Sequence, residues 1–193
     1  MAYVLDRYYV ESLSEAEKGA LTLYDNQLFF EFFDEVDVDG QKLFAIPKFF
    51  KTWSINTRDH RTPGEVIDIE LKDDIQPRDN EQIECIHKIT SNHNGMIAAR
   101  VGFGKTFVAI ASICKLKKKT LIIAHKESLL SQWKEKILEY TNLSEDDIGI
   151  IKGEKCDFEK NICLSTVQTL SRRINNDRTD FVLEMLNANF GIT

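Results

Sequence analysis

Eight residues, ARVGFGKT from Ala99 to Thr106, carry the densest chemistry in the 193-residue sequence. Gly102 and Gly104 supply the positive φ and close backbone approach that a phosphate cradle needs. The loop Arg100, Val101, Gly102, Phe103 and Gly104 offers backbone N–H groups to an anion, and the helix behind it adds a partial positive charge. Lys105 is placed to reach the β- and γ-phosphates of ATP, and the Thr106 hydroxyl to hold Mg²⁺. Lys105 and Thr106 are therefore the candidate catalytic pair, with Thr106 the candidate metal ligand. The strict pattern opens on Gly; Ala99 stands there, with the remaining spacing intact. The plain alternative is a glycine-bearing turn in an ordinary α/β domain.

Such a loop needs a strand before it and a helix after it. Met96 to Ala99 reads as a buried strand, and Phe107 to Cys114 continues with helical spacing. Upstream, Glu81 to Ile89 predicts a helix with Ile83, Ile86 and Ile89 on one side. Downstream, TLIIA (Thr120 to Ala124) predicts a second buried strand. Ser128 to Tyr140 predicts an amphipathic helix that turns Leu129, Leu130, Trp133, Ile137 and Leu138 inward. Ile148 to Ile151 and Ile162 to Ser165 predict short strands, and Asp180 to Leu186 a further helix. Buried strands alternating with helices imply a parallel sheet with right-handed crossovers. Ligands then sit at the carboxyl ends of the strands, where the phosphate loop falls.

Composition excludes several classes. With 42% hydrophobic and 29% charged residues the chain is globular rather than disordered or fibrous. No apolar run approaches the roughly 20 residues that cross a bilayer, and the start MAYVLDRYYVES lacks a signal peptide's basic and apolar regions. Cys85, Cys114, Cys156 and Cys163 form no CxxC pair, so a zinc site is not expected. The expectation is a soluble intracellular protein, cytoplasmic or viral (virion or host nucleus included), with reduced thiols and no membrane partner.

Charge divides the chain. Residues 1–75 hold 8 Lys/Arg against 16 Asp/Glu, whereas residues 76–193 hold 17 against 15. A global basic patch, the usual signature of a nucleic-acid protein, is absent. The cluster Lys115, Lys117, Lys118 and Lys119 falls where the phosphate-loop helix should end, and there it complements the helix dipole.

The first 75 residues read as a small acidic α+β accessory unit. Twelve of the 19 aromatics lie here, among them Tyr8, Tyr9, Phe29, Phe30, Phe32, Phe33, Phe49, Phe50 and Trp53. A domain this small needs large side chains to build a core, and core is favoured over base-stacking. Residues 3–9 are strand-like and precede a short helix opened by Ser12 or Ser14, with Glu15 and Glu17 in its first turn. Leu21 to Phe33 returns to strand composition, and Asp39-Gly40 marks a hairpin turn before Ile46-Pro47. Residues 54–75 look like a connecting loop. A protein partner suits this acidic unit as well as a DNA junction does.

Taken in order, the segments of residues 76–193 resemble the first motor domain of superfamily 2 helicases of the DExH type. PRDNEQIECIHKI is similar to the segment that precedes the phosphate loop, and the resemblance implies that Gln82 holds adenine. GMIAARVGFGKTFVAIASI is similar to the first motif, in which a small residue often replaces the leading Gly. TLIIAHKESLLSQWKEKI, GIIKGE and ICLSTVQTL resemble the pieces that follow. Within the superfamily the likeness is to phage recombination helicases of the UvsW type and to helicases of large DNA viruses, with XPB further off. IPKFF in the N-terminal unit also resembles a segment before the motor.

The resemblance implies a partial RecA-like, parallel-sheet P-loop domain that uses ATP and Mg²⁺. DNA is the implied partner, with RNA left open. The loop after TLIIA would place His125 and Lys126 on nucleic-acid phosphates, and Thr166 and Gln168 would contact the strand again. Each has a plainer reading: a satisfied loop histidine, a solvated lysine, and turn chemistry. Arg78 departs by about one residue from the usual spacing to the Gln. The acidic DExH pair is not in the sequence, and Asp146-Asp147 have no apolar strand before them. The chain thus reads as the N-terminal part of an ATP-dependent helicase or translocase, cut within its first motor domain. Two other readings stay open: a non-catalytic nucleotide- or nucleic-acid-binding module, and the motor portion of a restriction enzyme. A metal-organising acid and an arginine finger are separate requirements from phosphate cradling, and the finger alone is worth about 10³–10⁵ in rate. Residues 1–193 alone are therefore predicted to show no DNA-stimulated ATPase. A stimulated activity abolished by Lys105→Ala would overturn this.

Overall fold

The computed structural model describes residues 7–10, 12–25, 28–38, 40–47, 64–92, 96–153 and 155–175. Expectations for residues 3–6, Asp39, Phe49, Phe50, Trp53, the first part of the connecting loop, and Asp180 to Leu186 fall outside these. The chain divides into two units, Met1–Arg61 and Thr62–Thr193.

In the first unit, β1 (Arg7–Val10), β5 (Gln41–Pro47) and β4 (Asp34–Val38) form an antiparallel sheet in the order β1-β5-β4. β2 (Thr22–Asp25) and β3 (Leu28–Glu31) form a separate hairpin. The β4–β5 hairpin turns at Gly40, whose φ of +80° suits glycine. Helix α1 (Glu15–Ala20) opens on Ser14, not Ser12, in a reciprocal capping box with Glu17. Leu13, Leu21 and Ile46 are buried together, with Phe33 and Phe44 packed on them. Those two aromatics serve as core, as a small unit requires.

The second unit is α/β. Its sheet runs β6 (Thr120–Ala124), β9 (Ile162–Thr166), β7 (Ile148–Lys152), β8 (Lys155–Cys156). The first three are mutually parallel, and β8 is an antiparallel edge. Helices α2 (Asn80–Ser91), α3 (Lys105–Leu116), α4 (Glu127–Tyr140) and α5 (Val167–Asn175) accompany the sheet. Ile110, Ile122, Ile137, Ile148, Ile162 and Leu164 anchor the main core, with Leu130, Trp133 and Leu138 packed against it. Burial pushes the Cys163 thiol up to about 12 and the Cys114 thiol up to about 11, so both stay protonated near neutrality. Among the described residues, no helix is long and apolar enough to cross a membrane.

Three expectations need correction. Met96 to Ala99 has no regular structure and joins no ladder, and Met96 is 95% exposed. A strand exists only with a neighbour, and no described strand pairs with this segment. On α2, Ile83 is 52% exposed, while Gln82 and Ile86 are buried. The buried face is thus turned toward Gln82, whose amide finds partners inside. Finally, residues 64–75 are not a loose connection. Ile67 and Ile69 lie in the main core, Val66 bridges Lys118, and Leu71 bridges Thr141.

Gly149 on β7 lets the following turn lie flat on the sheet. A Cβ there would stand 2.8 Å from the Asp157 Cβ and 3.0 Å from the Lys160 Cβ. The turn is anchored by buried Phe158 and by Asp157, which accepts the Ile150 N–H at 3.2 Å. Gly149→Ala is expected to destabilise this unit by about 1–3 kcal/mol, as overpacking does. Denaturant unfolding measures it, and a change near zero would show that the turn can retreat.

Candidate functional site

The glycine loop, residues 99–104, is held from behind by the start of α2. Asp79 caps that helix, accepting the Gln82 N–H at 3.0 Å. This fixes the Gln82 side chain, which is 3% exposed. Its Nε2 donates to the Phe103 carbonyl at 2.8 Å, and its Oε1 accepts the Arg78 N–H at 2.8 Å. Arg78 Nη1 donates to the Gly102 carbonyl at 3.2 Å. Two successive loop residues are thereby tied to one segment.

The loop's glycines are required by conformation. Gly102 has φ +79° and Gly104 φ +86°, a region most side chains avoid. A Cβ on Gly104 would also stand 2.7 Å from Gln82 Nε2. Phe103 is buried with Ile86, Val108 and Ala111, whereas Val101 is 97% exposed. Arg100 is exposed, its Nη2 3.9 Å from Glu81 Oε2.

Helix α3 begins at this loop with Gly104 as N-cap and no side-chain cap. Its first N–H groups therefore have no side-chain acceptor at the N-cap, and a helix start of that kind suits an anion. Lys105 Nζ donates to the Ala99 and Arg100 carbonyls, both at 2.9 Å. An ammonium resting on carbonyls of its own loop can exchange them for phosphate oxygens. Thr106, beside it, is half-buried.

A second cluster forms where β6 and β9 end side by side, with Ala124 opposite Thr166. His125 and Lys126 are exposed. Lys126 is the N-cap of α4 and provides no side-chain cap. Gln168 Nε2 donates to the His125 carbonyl at 3.3 Å, which joins the two loops. Thr166 is 8% exposed, and its hydroxyl accepts the Thr169 N–H at 3.2 Å. Its side chain thus caps α5, while Gln168 remains exposed on the first turn. Asp146 and Asp147 belong to a 3-10 turn, where Asp147 forms a capping box with Ser144. Among the described residues, no group of three or more His, Cys, Asp or Glu could hold a metal ion.

Sequence reasoning missed the roles of Asp79 and Arg78 behind the loop. Asp79-x-x-Gln82 has the spacing of a helix-capping pair, the signal that finds it. The Gln82 N–H and then Arg78 hold the Asp79 carboxyl below its ordinary value of 3.8. A depressed carboxylate adds stability that is full above its unfolded value and is lost as pH falls through the folded one. Asn caps a helix without titrating. Wild type is therefore expected to melt higher than Asp79→Asn at pH 6, with the gap closing below pH 3.8. A gap constant from pH 6 to about pH 3 would show that this charge does no such work.

The sequence pattern of the family described as "Type III restriction enzyme, res subunit" matches residues 74–187. A protein of Invertebrate iridescent virus 6 named as helicase 161L is 42% identical over 78 residues, 39% of this chain and 18% of that protein. The TFIIH basal transcription factor complex helicase/translocase XPB subunit of Trypanosoma brucei brucei is 27% identical over 114 residues, 58% of this chain and 12% of that protein. A DNA 3'-5' helicase XPB of Kineococcus radiotolerans is 27% identical over 110 residues, 57% of this chain and 20% of that protein. The aligned part of the chain spans a fifth or less of each of these relatives.

Proposed function

Because the chain belongs to the family of the type III restriction enzyme res subunit, within the superfamily 2 helicases, we propose that it is the ATP-gripping part of a DNA helicase or translocase. The observation that carries this reading is the uncapped start of α3 behind two positive-φ glycines, with Lys105 resting on the loop's own carbonyls. The residues present fit Mg²⁺·ATP. N–H groups of the loop from Arg100 to Gly104 would surround the phosphates, the Phe103 N–H apart, which is bonded to the Arg100 carbonyl at 3.3 Å. Lys105 would neutralise their charge, and Thr106 would hold the metal. ATP, when bound, supplies the phosphoryl group whose transfer drives the motor.

Gln82 takes a different role from adenine recognition alone. Both ends of its amide are committed, to Phe103 and to Arg78. We read it first as the residue that holds the loop open, with any contact to the base made by exchange of one of these bonds.

The edge formed by His125, Lys126 and Gln168 is the proposed nucleic-acid surface. The start of α4 lacks a side-chain cap, and although the Leu129 N–H is bonded to the Lys126 carbonyl at 3.2 Å, the N–H groups before it and Lys126 together suit a backbone phosphate. Thr166 contributes by fixing the start of α5. Relatives named as DNA 3'-5' helicases and translocases support DNA as the partner. Unwinding and branch migration both follow from such a motor. The family's description also admits the motor of a restriction enzyme, which would act on the same DNA through the same core.

Two measurements test the proposal. Lys105→Ala should weaken binding of a fluorescent Mg²⁺·ATP analogue by at least about tenfold, the scale of a lost charge-assisted hydrogen bond. Lys126→Ala should weaken single-stranded DNA binding similarly for all sequences and lower the salt slope by about one. Unchanged nucleotide binding in the first variant, or a sequence-dependent loss in the second, would defeat the corresponding part.

A further inference from the structure

The first turn of α3 packs through Phe107 on the cluster of Ile86, Phe103, Val108 and Ala111, and makes one further contact that neither the glycine loop nor α2 supplies. Phe107, the residue after Thr106, sets its ring edge-to-face against Tyr140, with centroids 5.8 Å apart and planes at 77°. Tyr140 is the last residue of α4 and is itself pinned. The Lys72 N–H donates to its carbonyl at 2.9 Å, and Lys136 Nζ stands 5.2 Å from its ring centroid. Lys72 Nζ donates to the Leu138 and Glu139 carbonyls at 2.7 and 3.0 Å. Next to it, Leu71 bridges Thr141.

The segment that pins Tyr140 is continuous with the one that holds the phosphate loop. The Ile75 N–H donates to the Lys72 carbonyl at 2.9 Å. Beyond it come Arg78 and Gln82, bonded to Gly102 and Phe103. Residues 71–82 therefore run from the end of α4 to the phosphate loop. Phe107 on Tyr140 closes the ring through α3.

We propose that Tyr140 is a positioning residue for the phosphate site. Its ring sets the rotation of the first turn of α3, and hence where Lys105 and Thr106 point. An uncapped helix start has no side-chain bond of its own to fix that turn. An edge-to-face aromatic pair has a preferred angle, which an aliphatic contact lacks. Phe107 and Thr106 are consecutive, so any rotation that breaks the ring contact also moves the metal ligand. The inference rests on the ATP reading of this site.

The test uses the full chain with Tyr140→Leu, Tyr140→Phe and, as a packing control on the same helix, Trp133→Phe. Binding of a fluorescent ATP analogue is measured with and without Mg²⁺, alongside amide exchange at residues 106–108 and the melting midpoint. Tyr140→Leu should weaken Mg²⁺-dependent binding about 3- to 10-fold and speed exchange in that turn. Tyr140→Phe should restore both, and Trp133→Phe should lower the midpoint while leaving both intact. Should Tyr140→Leu not fold, Phe107→Leu tests the same contact from the other side. Wild-type exchange in a folded Tyr140→Leu or Phe107→Leu variant, or equal losses in Trp133→Phe, would overturn the proposal. Failure of the ATP reading looks different: wild type and Lys105→Ala would bind the analogue alike, while exchange still reports on the Tyr140 contact.

Discussion

A helix that begins without a cap leaves several N–H groups unpaired, and the protein must hold that start in place by other means. Helix α3 begins in this way, and much of the second unit is arranged around it. Gln82 and Arg78 fasten the loop in front of it. Asp79 fastens Gln82, and the aromatic contact between Phe107 and Tyr140 fastens the first turn. Fastening the backbone around the helix start would hold the donors of the proposed phosphate site in position before an anion arrives, which is what preorganisation means physically.

The distribution of caps follows the same logic. Helices α1 and α2 start on Ser14 and Asp79, whose side chains bond the first turn. The start of α5 is satisfied by Thr166. Only α3 and α4, among these five, begin with no side-chain cap. Their two starts are the places proposed for ATP and for nucleic-acid phosphate. Glycine at an N-cap costs only a few tenths of a kcal/mol and leaves the first N–H groups uncovered, so at Gly104 an open start comes at little loss of stability.

Local chemistry was legible where it depended on nearby residues. Lys105 and Thr106 stand directly behind a loop whose two glycines have positive φ, as ARVGFGKT implied. The strands from TLIIA, GIIK and ICLS pair in parallel. Central ICLS is buried throughout, but TLIIA, expected as a buried strand, leaves Ile123 50% exposed because no described strand pairs with its outer side. What the sequence did not disclose required a partner distant in the chain. Met96 to Ala99 has strand composition, but pairing depends on a neighbour that periodicity cannot supply. Ile83 follows the apolar period of α2, yet the polar Gln82 is the buried residue, because its amide is satisfied inside. Helix α5 escaped notice because its start lies in a strand-like TVQ stretch, and Thr166 acts both as strand end and as cap. Residues 64–75 look like linker in composition, and only the bridges to Lys118 and Thr141 reveal them as part of the core.

The absence of a basic patch no longer argues against a polyanionic partner. Net charge describes the field at a distance, whereas a phosphate in contact responds to the few groups within hydrogen-bonding reach. An open helix start supplies about half a positive charge together with directed N–H donors, none of which appears in a count of Lys and Arg. In the second unit one such start coincides with Lys105 and another with Lys126. Two point sites of this kind can grip phosphates on a surface whose overall charge is close to neutral. The first unit, Met1–Arg61, holds 11 acidic residues against 7 basic ones, and the rest of the acidic excess of residues 1–75 lies in the second unit. The proposed anion sites therefore rest on local donors rather than on the net charge of either unit.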